Sequence, residues 1–173
     1  THNIKLGIGI DYPHPENIGP DRLANAAAAA KYFGTPAIIL DFGTAVTIDT
    51  VSRKGAYAGG VIMPGLRLMS EYFNERTALL PRLDFFRKHH GKIPAIGKST
   101  EQAMYIGALT GFHGMIKEVV ARIKKELGPG RIHMCATGGN AAVILQNSNL
   151  NFQTDPKLTI KGLYAIYALN RLI

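Results

Sequence analysis

The chain has 173 residues, of which 46% are hydrophobic and 18% charged, so it can bury a core and is not an intrinsically disordered chain. No apolar run approaches the roughly 20 residues that a membrane-spanning helix requires, and we expect no membrane association. The net charge of +8 comes from scattered lysines and arginines without interleaved aromatic residues, which argues against nucleic acid and suits an anionic small substrate.

The first part of the chain predicts one strand and one helix. Residues 4–10 read IKLGIGI, which predicts a buried strand, and the proline-rich residues 12–19 predict a loop. Residues 20–33 predict a helix because alanine, the strongest helix former, fills every position from Ala26 to Ala30. The opening sequence THNIK has no signal-peptide pattern.

Three apolar runs separated by short turns follow, and they predict three strands. The first ends in DFGT at residues 41–44, the second covers residues 45–51, and the third closes on Gly59-Gly60 and Pro64-Gly65. The DFGT turn joins a carboxylate, a glycine and a hydroxyl, which suits a cradle for phosphate; the alternative is an ordinary β-hairpin. Residues 66–80 predict a helix that stops before Pro81.

Helices and strands alternate in the rest of the chain. Residues 82–98 predict an exposed polar loop that contains His89 and His90, and residues 99–127 predict the longest helix, with a capping sequence STEQ at its start. Its apolar positions advance by three or four: 103, 106, 109, 112, 116, 119 and 123. The remaining elements are expected to be a strand at 132–136, a helix at 140–146, a strand at 150–153 and a helix at 157–172.

Cys135 lies in the strand predicted at 132–136, and it is the one cysteine of the chain, which excludes an internal disulfide. A lone thiol is typical of a reducing compartment, so we expect a cytoplasmic location. The six histidines show no spacing typical of metal ligands.

Six short motifs, in order along nearly the whole chain, resemble those of the type III pantothenate kinases. They are PxxxGxDR at 15–22, DxGTAxTxD at 41–49, GGxIxPG at 59–65, ST at 99–100 followed by Gly107, TGG at 137–139, and DPxLxxxGL at 155–163. The resemblance implies an α/β fold in which residues 35–173 form an actin-like (ribonuclease H-like) ATPase subdomain of order βββαβαβα. Residues 1–34 would then be the last strand and helix of a first subdomain.

The same resemblance implies a function. Type III pantothenate kinases phosphorylate pantothenate with ATP, in the first step of coenzyme A synthesis, and they use Mg²⁺ and a monovalent cation, usually potassium. Their first subdomain begins with a second phosphate-binding turn, DxGNT, which this sequence lacks, so we expect the 173 residues alone to be inactive. The alternatives are a non-catalytic relative such as the Bvg accessory factor, a transcription activator, and more weakly a sugar kinase or an acetate-kinase-like enzyme.

Substrate residues are expected at the start of the first helix. By resemblance, Asp21 is the general base and pantothenate contacts Tyr12, Gly19, Pro20, Asp21 and Arg22. Arg22 offers a bidentate pair to the pantothenate carboxylate. The structural alternatives are a helix-terminal carboxylate for Asp21, a solvated arginine for Arg22 and an ordinary loop aromatic for Tyr12.

Nucleotide and cation residues are expected at two strand ends. Asp41 ends a buried strand, where a carboxylate should meet a cation or several N–H donors, and the resemblance assigns it to the monovalent cation. Gly43 and Thr44 would contact ATP, and Gly138 with Gly139 would pack against adenosine, unless these glycines form a simple turn. Asn140 stands where the family often has an acidic residue, and Asp49 is interpreted as structural.

A homodimer with shared active sites is the expected assembly. Gly107, Gly111 and Gly114 share one face of the long helix, which indicates close approach of another helix, and packing on the sheet is the alternative. By resemblance, Thr100 reaches the pantothenate of the partner subunit, while its structural alternative is a helix cap. The GKST sequence at 97–100 is rejected as a Walker A loop because its spacing is wrong and no strand precedes it.

Overall fold

A mixed sheet organises the chain in a computed structural model, which describes residues 3–85, 93–145 and 148–171. In chain order its strands are β1 (Gly9–Ile10), β2 (Ala37–Phe42), β3 (Ala45–Val51), β4 (Ala56–Pro64), β5 (His133–Thr137) and β6 (Gln153–Thr154). Their spatial order is β1-β4-β3-β2-β5-β6. Strands β2, β3 and β4 pair antiparallel, whereas β1 with β4, β2 with β5, and β5 with β6 pair parallel.

Helices cover both faces of this sheet. They are α1 (Pro20–Tyr32), α2 (Leu66–Arg76), α3 (Thr100–Leu127), α4 (Ala141–Leu145) and α5 (Leu158–Asn170). Because side chains alternate along a strand, Ile39 of β2 packs with α1 and α5 on one face, while Ile38 and Leu40 pack with α3 on the other. The mixed α/β fold predicted from the sequence is therefore confirmed. The finer assignment to an actin-like subdomain stays a prediction.

Close packing of α1 against α5 fixes the position of α1 on the sheet. Ala24 and the alanines at 26–29 of α1 are buried, and Gly162 of α5 lies directly on the backbone of α1. A Cβ at Gly162 would collide with the carbonyl oxygen of Ala24, so this helix pair tolerates no side chain there. Strand β1 also joins the sheet, next to β4. The division of the chain at residue 34 stays a prediction.

Several predicted elements differ in length from those observed. Residues 4–10 contribute a strand only at Gly9–Ile10, because Gly7 has a φ of +77°, outside the extended region. Helix α2 ends at Arg76 instead of residue 80, since Thr77 is extended and its hydroxyl donates to the Phe73 carbonyl. The strand predicted at 150–153 is observed at Gln153–Thr154.

Two predictions about burial are also corrected. The loop at 82–98 was expected to be exposed, but Phe85 is buried in the core beside Tyr105. On α3 the buried set is Ile106, Ala108, Phe112, Ile116 and Val120, whereas Ala103 of the predicted stripe is exposed. His89 and His90 lie outside the described residues. Within the described ranges, no helix combines the length and apolarity needed to cross a membrane.

Candidate functional site

Two aspartates on the β2–β3 hairpin anchor the N-terminal half of α1. Arg22 of α1 bonds Asp49 of β3, and Asn25, one turn further along, donates to Asp41 at the end of β2. The two α1 residues are three positions apart and therefore lie on one face of the helix. Asp21 lies beside them in the first turn of α1. The structure thus brings the predicted base Asp21, the predicted substrate residue Arg22 and the predicted cation ligand Asp41 to one place.

Asp49 is completely buried and is held by three hydrogen bonds and an ion pair. Its Oδ1 accepts from Arg22 Nε and from the Tyr57 hydroxyl, each at 2.8 Å, and Arg22 Nη2 lies 2.7 Å from the same oxygen in the ion pair. Its Oδ2 accepts from the Thr47 hydroxyl at 3.0 Å. Burial lowers the pKa of the Arg22 guanidinium, but the bonds and charge of Asp49 raise it more, so Arg22 stays cationic. The alternative of a solvated surface arginine is excluded.

Asp41 is half-buried and bonded on one oxygen only within the described chain. Asn25 Nδ2 donates to its Oδ2 at 2.9 Å, and the Asn25 Oδ1 accepts from the Thr159 hydroxyl at 2.7 Å, which fixes the amide in that orientation. Burial raises the pKa of Asp41; the bond from Asn25 opposes this, and the charges of Asp21 and Asp49 raise the pKa further. Of the two alternatives expected for Asp41, a cation or several N–H donors, the second is not observed, because one amide donates to it among the described residues.

A cavity of 390 Å³ opens beside Asp41 and is lined by oxygen-bearing and small residues. Its walls are Asp41, Thr137, Gly138, Gly139, Thr154, Pro156 and Thr159. Gly138 and Gly139 differ in whether the surrounding fold leaves room for a side chain. Gly138 has a φ of +93°, and a Cβ there would lie 2.5 Å from the Phe42 carbonyl oxygen, so the fold itself requires glycine. A Cβ at Gly139 would meet nothing within 4 Å, so no packing in the described residues requires glycine there.

Asn140 does not share this cavity with the glycines that precede it. It lines a separate cleft of 530 Å³ with residues of α2 and of the following segment, among them Arg67, Glu71 and Arg82. Glu71 lies between the two arginines, at 3.5 Å and 3.1 Å. Asn140 therefore faces a polar cleft on the far side of the TGG turn.

Tyr12 and Gly19 form the rim of the site around the start of α1. Tyr12 stacks edge-on against Tyr57, with centroids 6.0 Å apart, and its ring lies 3.5 Å from where a Cβ of Gly59 would stand. A Cβ at Gly19 would lie 2.5 Å from an Asp21 carboxylate oxygen, so a side chain there would displace that carboxylate from its present position. Pro20 is the first residue of α1, where the missing N–H of proline is harmless.

The DFGT turn forms a tight β-hairpin between β2 and β3, as one of the two interpretations expected. Gly43 and Thr44 are exposed at its tip. The Thr44 carbonyl accepts from Gly65 N at 3.1 Å, and a Cβ at Gly65 would collide with the same oxygen. The Thr44 hydroxyl has no partner among the described residues and remains available to a ligand.

Thr100 lies apart from the α1 residues and is not the helix cap. Ser99 caps α3: its hydroxyl accepts from Gln102 N at 3.1 Å, and the Gln102 side chain accepts from Lys98 N at 2.6 Å. The capping alternative for Thr100 is therefore wrong, and the GKST sequence forms this cap. Gly107, Gly111 and Gly114 are exposed with open space around them, so packing of these glycines on the sheet is also wrong.

Sequence reasoning missed the residues that hold the site together. Asn25 was one polar residue before an alanine run, Tyr57 an ordinary strand aromatic, and Thr159 a helix residue without a role. One signal was available: a fully buried position in the middle of α1 holds an amide, and buried amides require partners. Within the described residues, no three acidic, histidine or cysteine side chains form a metal-type cluster.

Comparison with known proteins identifies relatives across nearly the whole chain. A sequence model of a family described as type III pantothenate kinase matches residues 1–122. The type III pantothenate kinase of Akkermansia muciniphila is 47% identical over 96% of this chain and 66% of its own length. The type III pantothenate kinase of Methylacidiphilum infernorum is 43% identical over 94% of this chain and 59% of its own length. The type III pantothenate kinase of Streptomyces griseus is 41% identical over 96% of this chain and 62% of its own length.

The chain therefore spans about three fifths to two thirds of the length of these curated relatives. A solved structure, described as a Baf family transcriptional activator from Campylobacter jejuni, has the same fold with a TM-score of 0.66. It covers 97% of this chain and 71% of its own, but at 23% identity the likeness concerns the fold alone.

Replacing Asp41 by Asn should stabilise the fold at neutral pH. Because the pKa of Asp41 is raised by folding, its ionised form destabilises the folded state once the pH exceeds the ordinary value of 3.8. Below that value the carboxyl is neutral in both states, and the gain from Asp41→Asn should vanish.

Urea unfolding of both proteins at pH 7 and near pH 3.5, without added potassium, measures this difference. An Asp41→Asn protein less stable than the parent at pH 7 would contradict it. Asp11→Asn, at an exposed position before α1, is the control and should change neither value.

Proposed function

The chain belongs to the type III pantothenate kinase family, and we propose that the complete protein phosphorylates pantothenate with ATP, the first step of coenzyme A synthesis. One observation carries the proposal beyond the family match. The Asp21 carboxylate at the start of α1 lies next to a cationic Arg22 and near Asp41, which lines a cavity. A base, a group for a substrate anion and a phosphate-sized opening are thus adjacent.

Asp21 would act as the general base. In the transfer step, Asp21 accepts the proton of the pantothenate hydroxyl as that oxygen bonds to the γ-phosphorus of ATP. The bond between the γ-phosphorus and the bridging oxygen of the β-phosphate breaks, and ADP leaves with that electron pair. Asp21 is exposed and so can be reached by a substrate, while Gly19 leaves room for its carboxylate.

ATP would lie between the DFGT tip and the TGG turn. Thr44 offers a free hydroxyl and Gly43 an exposed backbone at the first, while Gly139 offers open space at the second. A glycine that the fold does not require is explained by close approach of a ligand to its backbone. Gly138 instead sets the shape of the turn. Tyr12, which packs edge-on against Tyr57, would contact pantothenate.

The residues around Asp41 fit a monovalent cation. Carboxylate, hydroxyl and carbonyl oxygens are the ligands that hard cations prefer, and Asp41, Thr137, Thr154 and Thr159 supply the first two kinds. Such a cation supplies positive charge beside the phosphates. Mg²⁺ needs no protein cage, since it usually keeps several waters and is bound with the substrate phosphates.

We also propose a homodimer in which Thr100 serves the partner's site. The exposed glycine face of α3 permits close approach of a second helix, and the Thr100 hydroxyl makes no hydrogen bond within the described residues. In a two-fold dimer any such contact occurs twice.

The cytoplasmic location expected from the single cysteine is part of this proposal. Cys135 is buried, and burial raises the pKa of its thiol to about 12.

Asp21→Asn should lower kcat for pantothenate by about 10²-fold or more in the complete protein, because the amide accepts no proton. The fold should persist, since Asn is isosteric and the position is exposed. Steady-state turnover with ATP and pantothenate measures this, with Glu75→Gln at an exposed position of α2 as control. Near-normal turnover by Asp21→Asn would remove the base assignment, whereas a parent protein without pantothenate turnover would contradict the function and favour a non-catalytic role.

Replacing potassium by tetramethylammonium should reduce turnover by about 10-fold or more, because the large ion does not fit among the oxygens around Asp41. Asp41→Ala should be equally slow in either salt. Rates in matched chloride salts, with sodium and ammonium alongside, check this. A parent enzyme equally fast with tetramethylammonium would contradict the cation site.

Mixing two inactive variants tests whether sites are shared. Asp21→Asn and Thr100→Ala subunits, combined equally and allowed to exchange, should form about half mixed dimers, each with one site bearing both native residues, so about a quarter of full activity returns. If Thr100 acts within its own subunit, no intact site forms and activity stays at background.

A further inference from the structure

We propose that Asp49 is a positioning residue for substrate recognition: it turns the Arg22 guanidinium so that its Nη1 end meets the carboxylate of the substrate. The inference rests on the proposed function, because it concerns how the acid substrate of that reaction is held. It goes beyond the structural interpretation of Asp49, and it confines any bidentate pair of Arg22 to the Nη1 end of the guanidinium.

The contacts with Asp49 occupy one edge of the guanidinium. Arg22 Nε donates to Asp49 Oδ1 at 2.8 Å, and Nη2 lies 2.7 Å from the same oxygen in the ion pair. In the described part of the chain Nη1 has no acceptor, and no buried polar side-chain atom there lacks a partner, so Nη1 reaches solvent. The Arg22 side chain is otherwise enclosed, with 11% of its surface exposed. The accessible part of the cation is therefore its Nη1 end.

The surroundings of the ion pair hold this orientation from three sides. The Tyr57 hydroxyl fixes Asp49, and the Tyr57 ring lies under the guanidinium, with Cζ 5.8 Å from its centroid. On β4, a Cβ at Gly60 would lie 2.9 Å from both Arg22 Nη2 and Asp49 Oδ1, so glycine is needed for the pair to form. The Thr47 hydroxyl donates to Oδ2, the other oxygen of the Asp49 carboxylate.

This arrangement has a physical consequence for binding. An unrestrained arginine loses side-chain freedom when it binds an anion, whereas Arg22 is already ordered before substrate arrives. Asp49 also offsets part of the Arg22 charge, so recognition of a carboxylate depends on the direction of one N–H pair more than on a free positive charge. Loss of Asp49 should thus weaken binding of a carboxylate substrate selectively.

The test compares pantothenate with its alcohol analogue, in which CH₂OH replaces the carboxylate, in the complete protein. Asp49→Ala should raise KM for pantothenate by about 10-fold, the factor for one charge-assisted hydrogen bond, with kcat within threefold. KM for the alcohol and for ATP should stay within about twofold, so the preference for the acid falls by the same factor.

Two further variants separate positioning from stability. Asp49→Asn keeps an acceptor for Arg22 and Tyr57, and its amide faces a Thr47 hydroxyl that can accept, so KM for pantothenate should recover most of the loss. Tyr57→Phe removes one donor to Asp49 while leaving the ion pair, and it should raise the same KM by a smaller factor. If Asp49→Ala does not fold, Asp49→Asn and Tyr57→Phe supply the comparison of KM for the acid with KM for the alcohol. Glu71→Ala, which breaks a distant acid–arginine pair, should leave both substrates unchanged.

The outcomes are distinct. A selective rise in KM for the acid in Asp49→Ala or Tyr57→Phe, with rescue by Asp49→Asn where Asp49→Ala folds, supports the inference. Equal losses for acid and alcohol, or losses that follow the fraction of folded protein, overturn it and leave the kinase function standing. A parent protein without pantothenate turnover overturns the proposed function and this inference with it.

Discussion

The placement of α1 against the β2–β3 hairpin is the constraint on which the rest of the site depends. Two polar contacts define it, Arg22 with the fully buried Asp49 and Asn25 with the half-buried Asp41. A buried carboxylate that loses its partner is strongly destabilising, so these contacts fix the register of the helix on the sheet. Gly162 of α5 packs directly against the backbone of the same helix. Asp21 lies in the first turn of α1 together with Arg22, so the same contacts fix the position of its backbone.

The same contacts bring three carboxylates, those of Asp21, Asp41 and Asp49, close enough to interact. Burial raises the pKa of Asp41 most, the charges of Asp21 and Asp49 raise it further, and among the described residues the bond from Asn25 is what opposes this. Such an arrangement destabilises the fold, and it is typical of sites whose charge is complemented by a ligand. A cation and the anionic groups of two substrates would complete the balance. The stability of the isolated fold and the function of the site are therefore in partial conflict here.

Local signals made much of the fold predictable. Strand β3 was expected at its observed bounds, and STEQ predicted a capped start of α3 but not which residue forms the cap. The bonds of Arg22 with Asp49 and of Thr159 with Asn25 could not be predicted, since the partners are 27 and 134 residues apart in the sequence. Asp49 was interpreted as structural for the same reason. Motif resemblance named Asp21 and Arg22, but only packing shows which nitrogen of Arg22 remains accessible.

A crystal structure of the complete protein with pantothenate and a non-hydrolysable ATP analogue tests the central claim most directly. The account predicts the pantothenate hydroxyl within hydrogen-bond distance of Asp21 and its carboxylate on Arg22 Nη1, with Nε and Nη2 still on Asp49. An Arg22 that leaves Asp49 to grip the carboxylate with two nitrogens would contradict the role of Asp49. Pantothenate bound away from the start of α1 would contradict the site itself.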